Sequence, residues 1–253
     1  MSASTITLTG LPAIPFIQPG DDLVALTLAG LHRAGLTLQD GDVLVYASKI
    51  ISKAEGRLVR LQDVAVTPQA RAIAASIDKD PRLVTLILQE SAQVLRTRPG
   101  LIIVEHRLGF VCANAGIDQS NIAGDDVALL LPLDPDASAR ALRAGLEQAT
   151  GAQVAIVIND SHGRAWRQGT VGVAIGLAGL LPLTDRRGER DLFGREMRIT
   201  VLGAADEIAA AASLLQGGAA EALPIVHVRG APYRMGDGHL SDLLRDKEQD
   251  LFR

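Results

Sequence analysis

Val154-Ala155-Ile156-Val157-Ile158, running directly into Asn159-Asp160-Ser161-His162-Gly163-Arg164-Ala165-Trp166-Arg167, decides how the rest of this chain is read. Five apolar, mostly β-branched residues predict a buried strand, and the polar continuation predicts a strand-end loop carrying the carboxylate of Asp160. Just upstream, Asp134-Pro135-Asp136 opens a predicted helix with Ala139, Leu142 and Leu146 on its apolar side and Gly151 as its stop. The strand therefore follows a helix in an α/β manner. A second loop of the same kind, Ala113-Asn114-Ala115-Gly116-Ile117-Asp118-Gln119-Ser120-Asn121, places Asp118 and Asn121 three residues apart after another apolar run. Two such loops can hold one hard cation between their carboxylates.

Other elements can be placed around these two. Ser4 to Leu8 alternates like an edge strand, and Leu11-Pro12-Ala13-Ile14-Pro15 is held extended by its prolines. Asp21 or Asp22 can cap a helix running to about Ala34, ended by Gly35. After the turn Asp40-Gly41-Asp42, Val43 to Tyr46 is a buried strand that empties into Ser48-Lys49-Ile50-Ile51-Ser52-Lys53. A helical reading of that segment puts both lysines on one face. Residues 68 to 98 read as two helices broken at Asp80-Pro81, and Leu101 to Val104 as a strand beside the charged patch Glu105-His106-Arg107. Asp206 is expected to cap an alanine-rich helix that ends at Gln216-Gly217-Gly218.

The 253 residues are 47% hydrophobic but only 3% aromatic, which predicts an aliphatic core of packed helices and sheet. A net charge of -4 offers no general attraction for nucleic acid. No stretch approaches the roughly 18 apolar residues of a membrane span, and the amino terminus lacks a secretory signal, so a cytoplasmic location is expected. Phosphate-loop, dinucleotide and zinc-protease signatures are absent. The lone Cys112 reads as a small buried residue rather than a nucleophile. Trp166 reads as a packing anchor, with stacking on a planar ligand as the alternative. The five histidines are scattered along the chain, and the polar stretch from Tyr233 to Arg253 reads as a peripheral tail.

Each site residue admits two readings. Asp118 and Asp160 suit a hard divalent cation, with Ser161 adding a hydroxyl; alternatively Asp118 closes an Asx turn and Asp160 caps a helix. Lys49 and Lys53, with Arg164 and Arg167, can neutralise phosphate oxygens, or are simply solvated surface. The glycines at 217 and 218 could present backbone groups to a nucleotide or merely stop a helix.

Taken as an ordered set, Leu11 to Ile14, Ser48 to Gly56, Ala113 to Asn121, Asn159 to Arg167, Ala205 to Ala209 and Val228-Arg229-Gly230 resemble the coenzyme F420 gamma-glutamyl ligase family over nearly the whole length. The resemblance implies an α+β fold of the family's own, with mixed sheets and packed helices, neither Rossmann nor P-loop, in a homodimer. Residues 1 to 232 would form the ligase domain and 233 to 253 a connector-like tail, the chain being a free-standing ligase or an excised domain without a flavin site. The implied activity is GTP-dependent ligation of L-glutamate to the deazaflavin precursor through an acyl phosphate, releasing GDP. A ligase for another acid and a non-catalytic binder are the alternatives. By resemblance, Asp118, Asp160 and Ser161 hold Mg2+ or Mn2+, two ions in all, with K+ as a further candidate. Asp118, Asp160 and Lys49 would be catalytic. Leu11, Pro12, Ala13, Ile14, Ser48, Lys49, Lys53, Asn121, Gln216, Gly217, Gly218 and Glu221 would bind GTP.

Overall fold

The computed structural model describes residues 4–122 and 124–251. The last two residues of the predicted tail, Phe252 and Arg253, lie outside the described residues, as do the first three of the predicted ligase domain. In chain order the elements begin with β1 (Thr7–Gly10), α1 (Leu23–Arg33), β2 (Val43–Ala47), α2 (Ser48–Ala54) and β3 (Leu58–Arg60). There follow α3 (Pro68–Ile77), α4 (Pro81–Gln89), β4 (Ser91–Arg98), β5 (Leu101–His106), β6 (Val111–Ala113) and β7 (Val127–Leu129). The rest comprises α5 (Pro135–Thr150), β8 (Ala155–Arg164), β9 (Arg167–Ala178), β10 (Thr184–Asp185), β11 (Val201–Leu202), α6 (Ala204–Gln216) and β12 (Ile225–Arg229). This is an α+β fold.

A mixed sheet in the order β1-β12-β2-β8-β9 forms its centre. Only β2 and β8 run parallel; the other neighbours are antiparallel. Because side chains alternate across a strand, each central strand feeds two cores. Leu44, Tyr46, Ile156 and Ile158 pack with α1, α5 and the remaining elements of the larger core. Val43, Val45, Ala155 and Val157 pack against α6 through Ala205, Ile208, Ala209 and Ala212. Near-continuous apolar runs in β2 and β8 follow from being covered on both faces. A three-stranded antiparallel sheet, β4-β5-β6, stands apart from the central one.

Helix ends match the local chemistry. Asp22 accepts from the amides of Val24 and Ala25, and Asp134 from that of Ala137, each satisfying donors that a first helical turn leaves unpaired. At Gly176 the sheet meets α5 so closely that a Cβ would lie 2.4 Å from Pro135 Cβ and 2.6 Å from its carbonyl carbon. Rigid backbone cannot yield there. Gly176→Ala should cost about 1–3 kcal/mol, the usual range for overpacking, read as a lower urea midpoint at unchanged m-value.

Four expectations are corrected by tertiary context. Residues 91–98 form strand β4, not helix: Glu90 ends α4, and the Gly100 turn (φ +75°) folds β4 back onto β5, so long-range pairing overrides the helical period. Asn159 to Arg167 is not a loop, because β8 continues to Arg164 and turns at Ala165-Trp166 into β9. Trp166 sits in that turn with φ +62° and is 89% exposed, so it does not anchor packing. Asp206 lies inside α6, which starts after Gly203, and accepts instead from the Ala174 amide of β9 at 2.9 Å.

The polar C-terminal stretch is held against the body. Leu240 is buried, its amide donates to Asp136 Oδ2 at 3.0 Å, and Lys247 Nζ lies 2.7 Å from the buried Glu105. Among the described residues, no helix is long and apolar enough to cross a membrane.

Candidate functional site

Parallel pairing of β2 with β8 brings their carboxyl ends side by side, with Ala47 opposite Asn159. Beyond that line β2 passes directly into α2 at Ser48 while β8 runs on to Asp160, and Ser48 Oγ donates to Asp160 Oδ1 at 2.8 Å. Asp160 is therefore a strand residue and caps no helix. Facing it is the turn after β6, where Asn114, Ala115 and Gly116 have φ of +52°, +54° and +65°. Gly116 is required there, since a Cβ would lie 2.5 Å from Leu131 Cδ1 as well as adopting a backbone that L residues avoid. The chain then reaches Asp118, whose backbone makes a reciprocal pair with Leu129 at 3.0 and 2.9 Å.

Asp118 closes the Asx turn and also meets a lysine. Its Oδ1 accepts from Ser120 N at 2.7 Å and Ser120 Oγ at 2.8 Å, while its Oδ2 lies 2.7 Å from Lys49 Nζ. Burial pushes this carboxyl up, but the Lys49 and Ser120 bonds outweigh it and hold the group below the ordinary carboxylate value. Asp118, Asp160, Ser48, Lys49 and Ser52 line one cleft of about 10 Å³, room for an ion or a water and not for a nucleotide. Two carboxylates and neighbouring hydroxyls are hard oxygen donors, the set that suits Mg2+ or Mn2+. No three His, Cys, Asp or Glu side chains gather into a metal cage among the described residues. An ion here would thus complete its shell from water or phosphate oxygens, as magnesium commonly does.

Lys53 lies one turn beyond Lys49 and donates to the Asn121 carbonyl at 2.8 Å. Burial and the neighbouring Lys49 charge lower its pKa, with Asp118 opposing. Asn121 Nδ2 donates to the Ala219 carbonyl at 3.0 Å, and Glu221 accepts from the Ala219 amide at 2.8 Å. The loop after β6 and the loop after α6 therefore meet beside the lysines. Gln216 is directed at the sheet: its Oε1 accepts from Asn159 Nδ2 at 2.6 Å, and its Nε2 points to the carbonyls of Val45 and Pro224. Gly217 takes φ +67° and Gly218 is open on its Cβ side. In the strip Leu11 to Ile14, the Leu11 side chain is core and its amide bonds to Ile225, so it can offer only its carbonyl. Pro12 and Ile14 are half-buried, while Ala13 is exposed, with φ +56°.

Ser161 is not among the residues lining the cleft. Alternation along β8 turns its side chain to the α6 face, opposite to Asp160. Two residues that composition and spacing did not single out do belong to the cleft's surroundings. Ser120 was recognisable as the i+2 partner of an Asx turn. His162 becomes legible only once β8 is known to extend past Asp160: it lies 3.1 Å from Asp160 Oδ2. Cys112, nearby and buried, has its thiol pushed up to about 12 by burial and by Asp160, which removes it as a nucleophile.

A mixed α+β sheet whose two parallel strands end in a cleft of carboxylates, hydroxyls and ammonium groups defines the class of protein. The chain belongs to the family described as F420-0:Gamma-glutamyl ligase, which it matches over residues 12–230. It is 47% identical over 250 residues to the "Coenzyme F420:L-glutamate ligase" of Methanothermobacter thermautotrophicus, covering 98% of this chain and 99% of that one. The similarly named protein of Methanopyrus kandleri is 42% identical over 253 residues, 98% of each chain. That of Methanocaldococcus jannaschii is 43% identical over 216 residues, 85% of this chain and 86% of the relative.

Proposed function

We propose that this chain is a cytoplasmic, GTP-dependent ligase that joins L-glutamate to the carboxylate end of coenzyme F420-0 and extends it with further gamma-linked glutamates. The observation that carries this reading is the shared cleft of Asp118 and Asp160, faced by Lys49 and flanked by Lys53, in a chain of this family. A carboxylate is a poor acyl donor until one oxygen becomes a good leaving group. In the proposed reaction, a substrate carboxylate oxygen attacks the γ-phosphorus of GTP, and the bond from that phosphorus to the bridging oxygen breaks with release of GDP. The glutamate amine then attacks the acyl phosphate carbon, phosphate departs with the acyl C–O electron pair, and the amine loses a proton.

The chain's own residues meet the charge demands of both steps. Lys49 and Lys53, on one face of α2, are placed to neutralise phosphate oxygens where negative charge is transferred. Asp118 and Asp160 supply the anionic oxygens for Mg2+ or Mn2+, which when bound would offset the charge of the triphosphate. The meeting of the Asn121 and Ala219 loops supports a nucleotide site beside Lys53. Exposed apolar side chains at Leu192, Phe193 and Ile199, around the β10 and β11 strands, support a homodimer.

Purified protein given GTP, Mg2+ or Mn2+, L-glutamate and F420-0 should yield GDP and a product one glutamate heavier by mass spectrometry. GDP formed only with a different acid or amine would redirect the assignment, and absence of turnover with any pair would leave a binder. Lys53→Ala should raise KM for GTP about 10-fold or more, in line with the ~1.5–3 kcal/mol of a charged hydrogen bond, with kcat moving less. An unchanged KM would remove Lys53 from the nucleotide site. Light scattering at micromolar concentration tests the dimer.

A further inference from the structure

His162 is two residues beyond Asp160 on β8, so both side chains leave the same face of the strand. Its side chain is only 10% exposed, its Nε2 is buried without an aligned hydrogen-bond partner, and Asp160 Oδ2 lies 3.1 Å away. A buried ring nitrogen left unpaired is a cost that an apolar residue at 162 would not incur. The fold carries that cost beside one carboxylate. The other oxygen of that carboxylate already accepts from Ser48.

The imidazole is also backed by packing. Phe110 lies 5.1 Å from it, tilted by 48°, and itself stacks on His106 at 5.1 Å and 4°. His106 is fully buried; its Nδ1 accepts from Leu108 N at 3.1 Å and its amide donates to the Phe110 carbonyl at 2.8 Å. Leu244, from the C-terminal stretch, closes over Gly109 so tightly that a Cβ there would lie 2.7 Å from its Cδ1. Phe110 thus packs against the His162 ring, and Leu244 covers the glycine that precedes Phe110.

We infer that His162 is a positioning residue that donates its Nε2–H to Asp160 Oδ2 and, with Ser48 on Oδ1, fixes the rotation of this carboxylate toward the cleft it shares with Asp118. The inference rests on the proposed role of Asp160 as a cation ligand. Second-sphere donors that orient a metal-binding group typically change metal affinity by about 10- to 100-fold when removed. Hydrogen bonds around such sites are often poorly aligned until the ligand is present.

Mn2+ binding can be followed by electron paramagnetic resonance in the full chain with saturating GDP, for the wild type, His162→Phe, His162→Gln and Asp160→Asn. His162→Phe keeps a ring against Phe110 but removes the donor, and should weaken Mn2+ binding about 10-fold or more. His162→Gln keeps an N–H donor and should recover most of that loss. Neither should lower the melting temperature of the ligand-free protein. A merely structural histidine would leave Mn2+ affinity unmoved in His162→Phe, and that result, or a Gln variant as weak as the Phe one, overturns the inference. Should the wild type bind no Mn2+, or Asp160→Asn bind it as well as the wild type, the cation role of Asp160 fails and this inference falls with it.

Discussion

Asp160→Asn should lower turnover by at least about 100-fold, beyond the 10- to 100-fold span of second-sphere changes at metal sites, and Asp118→Asn should do the same. Each substitution removes one negative charge and almost no volume. Stability should barely respond, because the amide oxygen at 160 can still accept from Ser48, and the Lys49 pair of Asp118 is one-third exposed on both sides, where ion pairs contribute about 0–1 kcal/mol. Steady-state kinetics and a denaturant curve on the same preparation separate the two effects. Loss of turnover with an unmoved unfolding midpoint assigns the carboxylates to chemistry. Full turnover in either variant would take that residue out of the cation site.

Asp42→Ala is expected to produce the largest loss of stability. Asp42 ends the turn before β2 and is 1% exposed. It accepts from Arg229 Nε at 2.8 Å and Nη2 at 2.7 Å and from the Gln39 amide at 2.9 Å, with His227 Nε2 at 2.8 Å. The His227 approach is short but off the hydrogen-bond axis, so the bidentate Arg229 pair is the better-formed contact. Removing the carboxylate leaves the Arg229 guanidinium without its counter-charge and the buried His227 ring without the carboxylate beside it, a change that typically costs about 3–5 kcal/mol. The cluster lies where β2 begins, whereas the cleft lies where β2 ends, so the variant's remaining folded fraction should keep its KM values. A midpoint equal to wild type at pH 7 would sink this expectation.

The pH dependence follows with a definite sign. Burial pushes the Asp42 carboxyl up, but the Arg229, His227 and Gln39 contacts outweigh it and leave the pKa below its ordinary value of 3.8. Its contribution is present above about pH 4 and is lost as pH falls through the depressed folded value. The gap between wild type and Asp42→Ala should therefore narrow in strong acid. His106 acts in a higher window: burial lowers it from 6.5 to about 4, so the unfolded chain binds the proton first. Stability should decline between those two values as pH falls, and chemical denaturation across that range checks it.

Local chemistry made a good part of this fold legible. Asp22, Asp134 and Gly151 delimit helices because capping is settled within a few residues. The apolar runs Val43 to Tyr46 and Val154 to Ile158 could be read as buried strands because both faces of each are covered. The helical period of residues 91–98 yields to a bulged pairing with β5 that is non-local and so absent from any short window. Trp166 is carried out to solvent by a hairpin turn that composition does not reveal. Within the site, Lys49 and Lys53 were identifiable by helical spacing. The side of β8 on which Ser161 lies was not, since that needed the strand to be known to continue.

By itself the sequence determined the aliphatic character of the core, several helix limits and the residue types available for charge chemistry, because each depends on period and composition over short windows; the α+β class came only through the resemblance to a family. Tertiary structure alone decided that Asp118 and Asp160 share a cleft and that Lys49 faces Asp118. It also brought Phe110, which stacks on His106, against the His162 ring beside Asp160. Apart from the neighbours His106 and Phe110, those meetings join residues some 40 to 70 positions apart, and the parallel pairing of β2 with β8 and the packing of β6 against that sheet bring them within reach.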